Sequence, residues 1–151
     1  MNETPNGTEQ DNESVFSIEK IYVKNFSVEV PEAPSIYLET ETPEVDLEIG
    51  VESQELGNDF YEVQINLTLT ALLADKRPVF FVEAAQAGIF RVANVPEDSM
   101  KPLLMIGCPN VLFPYLRELV SNGVSRAGFQ QQVLLAPVDF EAMYLNNENV
   151  A

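Results

Sequence analysis

The side chains that most often carry out catalysis are scarce in this chain. Histidine is absent, which removes the commonest general base and a frequent metal ligand. The single cysteine, Cys108, precedes a proline in an apolar stretch, and no histidine can activate it as a nucleophile. We therefore interpret Cys108 as a small buried hydrophobe. Asp46, Glu48 and Glu52 lie at even-numbered positions of a predicted strand, a spacing typical of a solvated polar face rather than of a catalytic pair.

Cofactor and metal motifs are also absent from the sequence. Its seven glycines are scattered singly, so no glycine-rich loop could cradle a phosphate. No Asp-x-Asp-x-Asp-Gly segment predicts a calcium loop. We expect no cofactor, no bound metal and no enzymatic activity, which leaves binding as the class of function.

The charge of the chain is strongly acidic and unevenly distributed. Its 24 acidic residues outnumber eight basic ones, and the first 62 residues hold 16 of the acids but only two bases, Lys20 and Lys24. Nucleic acid is not an expected partner, because phosphate binding needs a cationic surface. An acidic field favours cationic partners, although solubility alone is the simpler interpretation.

Length and composition predict one cytosolic domain. A chain of 151 residues can bury a sizeable core. No uninterrupted apolar run approaches the length of a membrane-spanning helix, so we expect no membrane insertion. Residues 1–14 are polar and acidic, which predicts a disordered tail rather than a secretory signal. A single cysteine excludes an intramolecular disulfide, and a reducing cytosol is the simplest location.

The apolar pattern predicts four strands followed by helices, an α+β fold. The strands are expected over residues 15–30, 45–52, 61–71 and 79–92, with turns at 56–59 and 75–78. In the first strand the apolar residues change parity, which predicts a bulge or a strand used on both faces. The fourth strand is apolar on both faces and must be covered on both. A second copy of the chain would supply that cover, so we expect a homo-oligomer.

After the strands, apolar residues that recur with a helical period predict two helices, and one shorter helix precedes them. The short helix is expected over residues 97–106, and a break at Pro109 separates it from a long helix over 111–127, capped by Gly128. The last helix is predicted to begin after Asp139 as its N-cap. Residues 148–151 are expected to form a short tail, which leaves a single domain over 15–147.

Three segments of the chain resemble the signatures of the SecB family, the bacterial chaperones of protein export. They are residues 86–90, QAGIF, residues 108–115, CPNVLFPY, and residues 135–142, LAPVDFEA. They lie in the family's order at matching separations. The resemblance implies a four-stranded antiparallel sheet with a long helix and a C-terminal helix packed on it, assembled as a dimer of dimers.

The resemblance also implies a client-binding groove. The matching residues lie in the crossover after the first strand, on the second strand and on the last helix: Ile36, Tyr37, Val45, Leu47, Ile49, Phe140, Met143 and Tyr144. Periodicity alone favours ordinary core packing for all of them. Glu41 departs from the pattern, because some family members carry an aromatic residue there.

Two further sets of residues match family positions. Glu29, Phe81 and Glu83 match the surface that binds SecA, the motor ATPase of export, whereas Asn25 stands where an aspartate is usual. The positions that influence oligomeric state are matched by Val82, Ala84 and Gln86. The zinc of the SecA complex belongs to SecA, and no residue here would bind it.

The sequence therefore predicts an ATP-independent cytoplasmic chaperone. It would bind unfolded precursor proteins as a homotetramer and deliver them to SecA. Two alternatives stay open: a SecB-like chaperone for another client, such as the antitoxin of a toxin–antitoxin pair, and an acidic oligomeric scaffold without a client.

Overall fold

A computed structural model describes residues 13–129 and 135–150 of the chain. Most of the predicted disordered tail, residues 1–12, lies outside the described residues. Glu13 and Ser14 do not conform to that prediction, because both are bonded to the end of the sheet. Ser14 Oγ donates to the Asn94 carbonyl oxygen at 3.0 Å, and Asn94 Nδ2 donates to the Glu13 carbonyl oxygen at 3.0 Å.

The predicted α+β fold is confirmed. The strands are β1 (Val15–Glu29), β2 (Glu44–Gly57), β3 (Phe60–Leu72) and β4 (Pro78–Ala93). The helices are a 3₁₀ turn (Ser35–Leu38), α1 (Glu97–Pro102), a π-helical segment (Leu103–Gly107), α2 (Cys108–Arg126) and α3 (Phe140–Val150). All neighbouring strands are antiparallel in the order β1-β4-β3-β2, a Greek-key arrangement in which β1 and β2 form the edges.

Two bulges resolve the parity change in β1. The register against β4 shifts between Ile18 and Lys20 and again between Val23 and Asn25. Each extra residue returns the following apolar side chain to the same face of the sheet. The apolar residues of β1 therefore share the helix-facing side, opposite even-numbered residues of β4: Phe16, Ile18, Ile21, Val23, Phe26 and Val28. The bulge alternative is correct, and β1 is not used on both faces.

The middle of the outer face of β4 is covered within the chain. Its small residues Ala85 and Ala87 are 7% and 0% exposed. Tyr22 and Lys24 extend from β1 across this part of β4 and bond to Glu62 on β3. The expectation that β4 needs a second copy to cover this face is therefore wrong at Ala85 and Ala87, because neighbouring polar side chains cover them.

The core lies between the sheet and α2. Leu112, Leu116 and Val120 are fully buried where α2 packs on β3 and β4. Gly123 permits the closest approach, since a Cβ atom there would lie 2.3 Å from Cζ of Phe26. The edge strand β2 lies away from α2 and leaves part of its helix-facing side uncovered.

The predicted helix break at Pro109 is wrong, because α1, the π-helical segment and α2 form one continuous helix. In the π-helical segment, Cys108 N–H donates to the Leu103 carbonyl and closes a wider turn. This turn accommodates Pro109, which has no N–H to donate and whose ring crowds the preceding turn. Within the described residues this helix, Glu97–Arg126, is long and apolar enough to cross a membrane. The search for uninterrupted apolar runs missed it, and its buried face identifies it as the core helix.

The helix ends follow their capping residues. Gly128, with φ of +94°, ends the long helix in a motif where Phe129 N–H donates to the Val124 carbonyl and Gly128 N–H to the Ser125 carbonyl. Asp139 Oδ1 accepts from Ala142 N–H at 3.0 Å and caps α3, as predicted. The tail predicted over 148–151 is wrong for residues 148–150, which continue α3.

Candidate functional site

An apolar stripe follows the helix-facing side of the edge strand β2. Val45 and Leu47 are 48% and 40% exposed, and Ile49 and Val51 continue the stripe as half-buried residues. Alternate residues of a strand share a face, which places all four side chains in one line. Because β2 is paired only with β3 in the described sheet, its other edge presents unpaired main-chain donors and acceptors.

A cavity of about 350 Å³ lies at the first end of the stripe. Its wall is a row of aromatic rings, with Tyr37 stacked on Phe129 at 5.3 Å between centroids and Phe80 at 4.8 Å from Phe129. The Tyr37 hydroxyl donates to the Ala127 carbonyl at 2.6 Å, which fixes the ring against the end of α2. Ile36 is buried beneath the cavity, and Val45 closes its β2 side.

The rim of this first cavity is acidic. Glu39 and Glu41 both line it. Glu39 accepts from Arg77 Nη1 at 2.7 Å, and Arg77 Nε donates to Asp75 at 2.8 Å. The hydrogen bonds from Arg77 lower the pKa of Asp75. The salt bridges connect the crossover to the β3–β4 turn, while Glu41 adds a further carboxylate to the rim.

A second cavity of about 340 Å³ lies at the other end of the stripe, between β2, α3 and the π-helical segment. Its apolar lining is supplied by Ile49, Val51, Met105, Phe140, Met143 and Tyr144. Phe140 is only 2% exposed and meets Phe113 of α2 edge to face at 5.9 Å. It anchors α3, whereas Met143 and Tyr144 are half-buried and reach the surface.

The structure brings the predicted groove residues together in one elongated surface, which we call the β2 groove: the two cavities and the stripe between them. Leu47 lies between the cavities. Core packing is the correct interpretation for the side chains of Ile36 and Phe140, whereas Tyr37, Val45 and Leu47 are exposed.

Sequence reasoning missed several contributors to the β2 groove, among them Val51, Phe80, Met105 and Phe129. Phe129 had a usable signal, because an apolar residue directly after a capping glycine commonly packs back on the helix end. Val51 could have been added from the alternation of β2. Met105 depends on the π-helical segment, which no sequence pattern indicated.

The outer face of the sheet, opposite the helices, holds the second predicted site. Glu29 lies directly opposite Phe81, and Glu83 lies opposite Ser27. Both glutamates are exposed and Phe81 is half-buried. Asn25 lies opposite Ala85 on the same face. The three predicted residues therefore form one small patch of two carboxylates around an aromatic ring.

A polar network lies beside this patch. Lys24 Nζ donates to Glu62 at 2.8 Å and to the Gln64 amide oxygen at 3.0 Å. Tyr22 donates to the other Glu62 carboxylate oxygen. Hydrogen bonds from Lys24 and Tyr22 lower the pKa of Glu62, and burial together with that carboxylate raises the pKa of Tyr22 to about 12. Glu62 is thus held ionised and already partnered, whereas the ion pairs among the described residues include neither Glu29 nor Glu83.

The comparisons with known proteins agree with this geometry. The family model of the preprotein translocase subunit SecB matches residues 9–151.

The chain belongs to the SecB family.

Curated relatives of the chain are also consistent with its membership of the SecB family. It is 53% identical over 137 residues to the protein-export protein SecB of Dechloromonas aromatica, covering 91% of this chain and 89% of the relative. It is 54% identical over 134 residues to that of Thiobacillus denitrificans, covering 89% and 87%. The function of the chain is accordingly that of a SecB chaperone in preprotein export.

A solved structure supports the fold independently. A SecB-like chaperone of Mycobacterium tuberculosis, in complex with a peptide from an antitoxin, superposes with a TM-score of 0.65. The two sequences are 19% identical, and the match covers 82% of this chain and 90% of the other. At this identity the match shows the fold alone.

The residues that match SecB positions with an influence on oligomeric state are buried in the core of the subunit. Val82, Ala84 and Gln86 are at most 4% exposed and face the helices. Gln86 Nε2 donates to the Tyr22 carbonyl at 3.1 Å, beside the second bulge of β1. They contribute to this core directly, so any influence on assembly would pass through the packing of β1.

Cys108 is inert in this SecB chain. Its side chain is fully buried, and burial raises the pKa of the thiol to about 12. Among the described residues, no group of three or more histidine, cysteine, aspartate or glutamate side chains could hold a metal ion.

Proposed function

We propose that this SecB chaperone binds unfolded precursor proteins as extended segments in the β2 groove. It holds them unfolded without ATP in the cytoplasm and delivers them to the SecA motor. The observation that carries the proposal is the exposed apolar stripe of an edge strand, which joins two apolar cavities into one elongated surface.

The β2 groove suits an extended, chemically varied client. From Val45 to Ile49 the stripe spans about 13 Å at the rise of a strand. An extended client could place alternate side chains on this stripe while its main chain meets the unpaired edge of β2. Aromatic and methionine side chains adapt to many apolar partners, so binding would be broad rather than selective.

The same proposal assigns no chemical reaction to the chain. Neither the buried Cys108 thiol nor the partnered Glu62 carboxylate is placed to react. We propose that the protein is not an enzyme, takes no cofactor, and neither binds nucleic acid nor inserts into membranes. Its effect on a client is to delay folding and aggregation.

An antitoxin client has weaker support. The relatives that are more than 50% identical are protein-export SecB proteins, whereas the antitoxin peptide occurs with a chaperone only 19% identical. The scaffold alternative leaves the exposed apolar stripe without a role. Suppression of client aggregation by the purified protein, without ATP, distinguishes the chaperone from a scaffold.

The SecA interaction is proposed for the outer face. Glu29 and Glu83 are exposed, and neither has an ion-pair partner among the described residues. Phe81 supplies a half-buried apolar centre between them. An acidic rim around an apolar centre suits a basic, partly apolar partner surface. The site is on the opposite side of the sheet from the helices, so client and motor could be bound together.

We expect the protein to assemble as a homotetramer, a dimer of dimers. Phe16, Ile18 and Val23 of the edge strand β1 are 43–49% exposed, and Tyr115 on the outer side of α2 is 50% exposed. Exposed apolar side chains on one edge are typical of an interface.

Light scattering should give four times the 16.8 kDa chain mass, and Ile18→Glu with Val23→Glu should shift the assembly towards smaller species.

This interface test avoids Ala84. A charge at that buried position would act on the fold as well as on assembly. Far-UV circular dichroism of the β1 variant should match that of the parent and so show that the subunit fold is retained, since loss of assembly can itself lower the melting temperature. A stable monomer of the unmodified chain would contradict the proposed assembly.

A further inference from the structure

We infer that the π-helical segment places Met105 in the β2 groove as a contact residue for the client. The inference rests on the proposed client binding and adds a residue to it. Met105 is half-buried and lines the second cavity opposite Ile49 and Val51. It comes from the long core helix, which otherwise packs on the inner strands.

The local sequence explains why the helix widens at this point. Pro109 follows the segment and has no N–H, so it cannot bond to the carbonyl of Met105 four residues earlier or of Leu104 five residues earlier. Its ring also crowds the preceding turn. A turn closed by the bond from Cys108 N–H to the Leu103 carbonyl relieves this crowding. Single π turns inside α-helices occur frequently at functional sites.

The placement of the segment connects it to the groove. It packs against both β2 and α3, the two elements that form the walls of the second cavity. An extra residue per turn rotates the following side chains relative to a regular α-helix. The widened turn therefore sets which side chain of the helix faces the cavity, and that side chain is Met105.

The chemistry of the residue fits an unselective client. Met105 and Met143 line the same cavity from opposite elements. Methionine is unbranched and polarizable, and it is over-used at surfaces that bind many sequences. The expected occupant is an apolar side chain of an extended polypeptide segment that also crosses Ile49. Two methionines would let the cavity accept side chains of different shapes.

The four methionines of the chain make the inference directly measurable. Protein labelled with ¹³C at the methionine methyl groups gives one signal for each, assigned by Met100→Leu, Met105→Leu and Met143→Leu. Met100 is the matched control, because it is half-buried in the same long helix but lines neither cavity. The probe is reduced, carboxamidomethylated ribonuclease A, a permanently unfolded basic polypeptide.

Addition of the probe should shift or broaden the Met105 and Met143 signals and leave Met100 unchanged. Met105→Ala should weaken probe binding about fivefold to tenfold, whereas Met105→Leu retains most of it and Met100→Ala has little effect. Pro109→Ala, which restores an N–H, should reduce the Met105 response without losing the fold.

The outcomes separate this inference from the proposed function. If the probe binds and Met143 responds while Met105 does not, client binding stands and the role of Met105 is wrong. Equal losses of affinity in Met105→Ala and Met100→Ala, with lowered melts, would reduce Met105 to a packing residue. If the parent protein binds no unfolded probe at all, the proposed function itself fails.

Discussion

Replacing Leu47 and Tyr144 together by alanine is expected to weaken binding of an unfolded precursor on the order of tenfold or more. Leu47 is 40% exposed in the middle of the β2 groove, and Tyr144 is half-buried at its second cavity. Full burial of one such side chain contributes roughly 1.5–3 kcal/mol. Several grooves on one assembly would multiply the loss, because one client bound at several weak sites gains avidity from all of them. Titration calorimetry with the unfolded precursor measures the change.

The control for this variant uses two exposed leucines outside the cavities. Leu38, in the 3₁₀ turn, and Leu145, on α3, are 85% and 51% exposed and line neither cavity. Leu38→Ala with Leu145→Ala should bind the precursor like the parent. Thermal melts and light scattering of both double variants should remain unchanged. If the Leu47→Ala, Tyr144→Ala protein bound the precursor with the affinity of the parent and had an unchanged melt, the β2 groove would have no role in client binding.

Reversing the charge of Glu29 and Glu83 to lysine is expected to reduce SecA affinity on the order of tenfold or more. Both carboxylates are exposed on the outer face, where Glu29 is paired with Phe81 and Glu83 lies two residues further along β4. Each reversal replaces an attraction by a repulsion on the order of 1 kcal/mol or more. Asn25→Asp, on the same face opposite Ala85, should strengthen binding modestly. Calorimetry against SecA at low and high salt provides the measurement.

Net charge alone must be excluded as the cause. Glu55→Lys with Glu97→Lys changes the charge equally, and both of those glutamates are exposed away from the outer-face patch. This control should retain most of the SecA affinity. Rising salt should weaken SecA binding, since exposed charges are screened over about 8 Å at physiological ionic strength, and should affect client binding much less. A Glu29→Lys, Glu83→Lys protein that bound SecA like the parent at both salts would refute the acidic patch.

Much of the fold could be predicted because its local signals agree. The alternation of β3 and the capping residues Asp139 and Gly128 each specified a local structure without tertiary context, whereas the parity change of β1 left a bulge and a two-faced strand as alternatives. The helix break predicted at Pro109 and the tail predicted from residue 148 were both wrong. Pro109 predicts a break by propensity, but the long helix continues through a π turn, and the buried face of α2 beyond that turn packs on β3 and β4. Residues 148–150, predicted as part of a short tail, extend α3.

The groove was harder to predict than the fold. Apolar residues at strand or helix spacing give the same sequence pattern whether they face a core or a surface. Leu47 is exposed only because β2 lies at the sheet edge, whereas Leu67 and Leu69 of β3 are buried. That edge position follows from long-range pairing, which periodicity does not encode. The resemblance to the SecB family supplied the groove residues, but it supplied neither Phe129 nor Met105.

The central claim is that the protein holds clients unfolded without ATP, and refolding kinetics test it most directly. The chain contains no tryptophan, so the tryptophan fluorescence of a slowly folding client reports on that client alone. A denatured precursor protein is diluted into buffer with an equimolar amount of the assembled protein and no nucleotide. We predict that refolding is slowed severalfold and aggregation suppressed, and that the Leu47→Ala, Tyr144→Ala variant loses most of this effect. Refolding and aggregation at the same rates with and without the protein would contradict the account.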